Sequence, residues 1–143
     1  MRTLAHRDQR GSATLELVIV IPATLLILSA IIMAGRLALA HQAIQAVAYD
    51  AARAASVARD RGTASSDAAR VAGFSLASNG LSCTSTSTDV DTSGFTAAVG
   101  QAAAVSAAVT CVVGLGDLSL PGIPGTVTLE ADAISPIDTY RER

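Results

Sequence analysis

Tryptophan and lysine do not occur among the 143 residues, aromatic residues make up 3%, and there are two cysteines and two histidines. Each scarcity excludes something. Without large aromatics, and with alanine supplying much of the 50% hydrophobic content, any soluble part has a thin core, because alanine favours helix but buries little area. All ten basic residues are arginine, which reads as a coding bias. A net charge of -2 excludes a strongly basic surface of the kind that binds nucleic acid. Two cysteines fall short of a four-ligand zinc set. The stretch "GLGDLS" has two of the three glycines of a dinucleotide loop but does not open a helix, a chance match. Serine and threonine are abundant, yet none has a base nearby in sequence. The expectation is a protein that is not an enzyme, with no catalytic residues, no metal, no cofactor and no small-molecule substrate.

What the sequence does contain is one long apolar run. From Leu17 to Ala34 eighteen residues pass without a charge, which as a helix span about 27 Å, close to the ~30 Å hydrocarbon core of a bilayer. Pro22 is expected in the first turns of that helix, where few backbone bonds are lost. Arg2, His6, Arg7 and Arg10 precede the run against one acid, Asp8. A short basic leader of this kind stays in the cytoplasm, so everything after Arg36 is expected outside. The reading is therefore a single-pass protein of the cytoplasmic membrane, with a transmembrane segment at about 15–35. His6 and His41 then lie on opposite sides of the membrane and share no site. Cys83 and Cys111 both fall outside, where disulfides persist. A bridge between them would contribute roughly 3–4 kcal/mol by closing a loop of this length; the alternative is two unrelated buried thiols.

No turn signal follows the apolar run. Helix formers continue through "GRLALAHQAIQAVAYDAARAASVARDRG", and Leu37, Ile44, Val47, Ala51, Ala55 and Ala58 recur at helical spacing. Asp50 and Arg53 are three apart and can pair on the wet face. Arg59 and Arg61 followed by Gly62 mark the stop, giving one helix over 12–61. A shorter helix follows, capped by Ser65 or Ser66 and ended by Asn79-Gly80. The period then becomes two. Val127, Leu129, Ala131 and Ala133 alternate with Thr128, Glu130 and Asp132; Val105, Val109, Cys111 and Val113 share a phase; Leu81 and Cys83 form a weaker strand. "LPGIPG" supplies a turn before the last strand. The fold class expected is α+β: a long helix, a short helix, then a small antiparallel sheet pinned by a disulfide. The organisation is a leader at 1–11, the long helix at 12–61, and a small extracytoplasmic α/β domain at 62–143.

One feature of the run is odd for a plain anchor: "RGSATLELVIVIP" places a carboxylate, Glu16, five residues after Gly11 at its mouth. A basic leader, a glycine, a glutamate at the fifth following position and an apolar helix together resemble the processing site of type IV prepilins. That resemblance implies a prepilin peptidase cutting between Gly11 and Ser12, which leaves Glu16 as the fifth residue of the mature chain. Glycine presents no side chain to obstruct the protease. Glu16 could then pair with the new amino terminus of a neighbouring subunit, since either charge alone in lipid costs a few kcal/mol.

A narrower match runs from residue 10 to about 55. Arg10-Gly11, Glu16, Pro22, Gly35-Arg36 and Ala51-Ala52-Arg53 follow the order of the TadE-like domain of tight-adherence (Tad, Flp-type) pilus systems, and the segment resembles that family. The tail "LPGIPGTVTLEADAISPIDTYR" is similar to the tails of actinobacterial members. Leu17 departs from the family pattern, where phenylalanine is common. The resemblance implies a pilin-like fold and a minor pilin or pseudopilin that helps assemble an adhesive pilus by helix packing and subunit contacts. Its implied partners are the membrane, prepilin peptidase, other pilins and Tad-type assembly proteins. Two other readings stand beside it. Ala38-Leu39-Ala40 is a pattern that signal peptidase could cut before His41, which would give a secreted protein. The chain could also be an envelope anchor presenting a binding module.

Overall fold

The computed structural model describes residues 10–116 and 125–140, with the backbone alone at 10–15. The elements run α1 (Arg10–Val57), α2 (Arg61–Ser78), β1 (Cys83–Asp91), a short 3-10 turn at Ser93–Thr96, β2 (Ala103–Gly114) and β3 (Thr126–Ile137). Two helices followed by a three-stranded antiparallel sheet of order β1-β2-β3 make an α+β fold. By contacts the chain divides into two units, residues 1–35 and 36–143. Residues 1–9 of the leader, and all but Gly125 of the turn read at 120–125, lie outside the described residues.

In the second unit the helices and one face of the sheet share a single core. Ile44, Val47, Ala51, Ala55 and Ala58 of α1 are buried, as their spacing predicts, and Ala64, Ala68, Ala72 and Leu76 form the matching stripe of α2. Among the described residues the largest fully buried side chains are Ile44, Val47, Val105, Val109, Cys111 and Leu129. Alanine fills most of the remaining interface, so backbones approach closely and little area is buried per residue. The 3-10 turn adds Phe95, 8% exposed. It can seat there because position 94 is glycine: a Cβ at Gly94 would run into the Ala104 carbonyl oxygen.

The sheet pairs Val105 with Ser135, Val109 with Ala131 and Cys111 with Leu129 across β2 and β3, all six buried. Between β1 and β2 the register slips at Thr84, whose hydroxyl donates to the Val112 carbonyl at 3.0 Å. This irregularity lets Cys83 (opposite Val113) and Thr86 (opposite Cys111) face the same side. The Cys83–Cys111 disulfide, with a Cα–Cα distance of 5.4 Å, thus crosses the two strands diagonally. Pro136 is accommodated because β3 is an edge strand and loses no ladder donor on its open side.

Three local expectations are corrected. The long helix stops at Val57, not after Arg61, and Gly62 is the second residue of α2. Asp60 caps α2 in place of Ser65 or Ser66: its carboxylate accepts from the Thr63 amide at 2.9 Å and the Thr63 hydroxyl at 2.7 Å. Those bonds hold the Asp60 carboxyl below its ordinary pKa. The serine hydroxyls instead donate to the Arg61 and Thr63 carbonyls. Asp50 does not pair with Arg53; it accepts from the Ser75 hydroxyl at 2.7 Å, tying α1 to α2. The end of α2 is as expected. Leu81 N–H reaches the Leu76 carbonyl and Gly80 N–H the Ala77 carbonyl, with Gly80 at φ +69°, the paired bonds of a glycine-terminated helix.

Candidate functional site on the amino-terminal helix

The features that set this chain apart from a plain α+β domain lie on the first half of α1. The described part of α1 already includes Arg10, Gly11 and Ser12, so the Gly11–Ser12 peptide is helical and not ahead of the helix as the sequence suggested. A protease would need a local opening of the helix to reach this bond. Ser12 and Glu16 are four residues apart, on one face of the helix and about 6 Å along its axis. Glu16 is exposed.

From Leu17 onward the helix turns large apolar side chains outward on every side. Leu17 is 61% exposed, Ile19 70%, Leu26 72% and Ile31 63%. A helix apolar all round belongs in a buried or lipid environment. This one is long and apolar enough to cross a membrane, and none of its most apolar window is covered by the protein. Its two hydroxyl side chains are internally satisfied: Thr24 donates to the Val20 and Ile21 carbonyls and Ser29 to the Leu25 carbonyl at 2.8 Å. Polar groups without water must be paired in this way. Pro22 lies more than three turns into α1, deeper than the sequence reading placed it. It has no N–H for the Val18 carbonyl, and the Thr24 hydroxyl bonds the carbonyls just beside that gap.

Elsewhere the chemistry is sparse. An open groove between α2 and β1, over the disulfide, is lined by Gly73, Leu76, Leu81, Cys83, Thr86 and Thr88 among others, with no ionisable side chain. Among the described residues no set of three His, Cys, Asp or Glu side chains is placed to hold a metal ion. His41 is exposed on α1, and His6 lies outside the described residues.

Sequence reasoning singled out Gly11, Ser12, Glu16, Cys83 and Cys111; of these the structure joins Cys83 and Cys111. It missed the buried Ser56–Ser135 hydroxyl pair, in which Ser135 Oγ donates to Ser56 Oγ at 3.0 Å and joins α1 to β3. Two serines 79 positions apart carry no sequence signal of contact.

Comparison with known proteins bears on the same segment. The family described as TadE-like protein matches residues 11–53, from the Gly11–Ser12 bond to Arg53 in α1. The chain therefore carries a TadE-like segment, and it is the segment that contains Glu16, the apolar run and the start of the domain core. No curated protein and no solved structure matches the chain.

Proposed function

We propose that the protein is a membrane-anchored, pilin-like component of a Tad-type pilus-assembly system, acting through helix packing and subunit contacts without catalysis. A TadE-like segment and a long apolar amino-terminal helix fit a pilus-related membrane protein. The observation that carries the reading is their coincidence: the family match falls on the outward-apolar helix, with Glu16 exposed at its mouth. In this reading residues 1–11 are the cytoplasmic leader, α1 crosses the cytoplasmic membrane, and the 36–143 unit works outside. The disulfide supports that placement, since such bonds persist outside the cytoplasm.

Prepilin peptidase removes the leader between Gly11 and Ser12. The Glu16 carboxylate then pairs with the new amino group of a neighbouring pilin, and so sets the register between adjacent helices. Secretion by a cut after Ala40 is less favoured: Ala40 is 5% exposed inside α1, at the start of the core stripe.

Two variants test this. Glu16→Gln should leave membrane insertion and cleavage intact, because removing a charge eases entry into lipid, while co-purification with partner pilins falls. Gly11→Leu should block cleavage and retain the leader. Wild-type association and piliation with Glu16→Gln would reduce Glu16 to an interfacial charge.

A further inference from the structure

Among the described residues of 36–143 every arginine lies in the helical layer, while four exposed carboxylates lie on the strands. Arg36, Arg53, Arg59, Arg61 and Arg70 all lie on α1, on α2 or in the turn between them. Asp89, Asp91, Glu130 and Asp132 lie on β1 and β3, and all four are exposed. Register places Asp89 and Asp132 on either side of Ala108, Glu130 beside Thr110, and Asp91 beside Ser106. Because side chains alternate along a strand, these carboxylates share the sheet face turned away from the helices, about 10 Å apart across small β2 residues.

Apart from Arg70, no member of either set is ion-paired within the described residues. The one ion pair there is Arg70 with Asp67 at 3.0 Å. The other helical carboxylates are engaged elsewhere, Asp50 with the Ser75 hydroxyl and Asp60 with Thr63. Arg53, Arg59 and Arg61 therefore have no carboxylate partner among the described residues. Each charged face also carries an apolar residue. Ile134, 66% exposed, stands beside Ser106 on the sheet face, and Val57, 68% exposed, stands one turn from Arg53.

From this complementarity we infer that the acidic sheet face of one copy docks on the arginine-bearing turn of α1 and α2 of a second copy. The occupant is another copy because the matching set of unpaired cations is on the same chain. Two different faces meet, so every copy added leaves one face of each kind free. Such a heterologous contact extends into an open row unless the rotation closes a ring. The contact belongs to the 36–143 unit and does not depend on leader cleavage, on Glu16 or on the pilus reading.

The test is sedimentation velocity of the full chain in a neutral detergent. At about 50 mM salt the chain should form concentration-dependent species beyond one copy, and at about 1 M salt these should dissolve as charges are screened. Asp89→Arg/Asp132→Arg and Arg53→Glu/Arg59→Glu should each weaken association by about tenfold or more. Mixing the two variants should restore it, since the intact face of each meets the intact face of the other; a misfolded variant could not be rescued this way. A chain that stays single at low salt overturns the inference, as does association that the reversals leave unchanged or a mixture that stays single. Single chains that bind a polyarginine peptide would overturn it too, by giving the face to a foreign basic partner.

Discussion

The hydroxyl pair between α1 and β3 gives a sharp quantitative prediction, because its two members are not equivalent. Ser135 Oγ donates to Ser56 Oγ at 3.0 Å, and Ser56 Oγ donates to the Arg53 carbonyl at 2.9 Å. Both residues are buried, at 5% and 4% exposure. Ser56→Ala strands the Ser135 hydroxyl away from water, which costs about 1–3 kcal/mol. Ser135→Ala leaves Ser56 its carbonyl acceptor and removes one ordinary bond, about 0.5–1.5 kcal/mol. The double replacement removes both polar groups from an alanine-rich interface and should be nearly neutral. The double variant should then be more stable than the sum of the single effects by about 1.5–4.5 kcal/mol. Pulse proteolysis of the full chain in urea, read on the 36–143 unit, measures all three. Additive costs, or a larger cost for Ser135→Ala than for Ser56→Ala, would refute the asymmetry.

Reducing the disulfide, or Cys83→Ala, should lower stability by about 3–4 kcal/mol on the loop-entropy account for a separation of 28 residues; an unchanged urea midpoint under reductant would count against it. Gly94→Ala should destabilise more than Gly80→Ala, because the first drives a Cβ into the Ala104 carbonyl while the second meets open space and only a left-handed backbone penalty; the ranking of the two urea midpoints checks this. Asp60 and Asp91 both have folded pKa values below the ordinary one, from hydrogen bonds to Thr63 and to Ser93 respectively. Their contribution is fully present above the unfolded value near 3.9 and is lost as pH falls through the folded values. Asp60→Asn, which keeps an acceptor but does not titrate, should flatten the acid limb of stability against pH; an unaltered limb would contradict that.

The helical and strand periods were legible because burial enforces them: a residue out of phase on α1 or β3 would carry a charge into the core. The disulfide was legible from two in-phase cysteines in a part expected outside the cytoplasm. Boundaries were not. Serine and aspartate are near-equal caps, so residue type gave no reason to look past Ser65 or Ser66, and the Thr63 bonds give the cap to Asp60. Asp50 has a local partner in Arg53 and a distant one in Ser75, and folding brings up the distant one. The burial of Phe95 had no sequence signal, because it depends on a close approach at Gly94 that no period announces. Gly11 and Glu16 were visible as a spacing, yet the helix runs through both, so the Gly11–Ser12 bond is helical and not ahead of the helix.

The central claim is that the apolar half of α1 stays with the domain as a membrane anchor after processing between Gly11 and Ser12. Intact mass and amino-terminal sequence of the chain taken from cell membranes test it together. The account predicts a protein that begins at Ser12, keeps Glu16 through Ala34, and stays in the membrane fraction after alkaline carbonate washing. A chain beginning at Met1 would remove the processing step. A chain beginning at His41 and recovered from the medium would contradict the anchor and the proposed function with it.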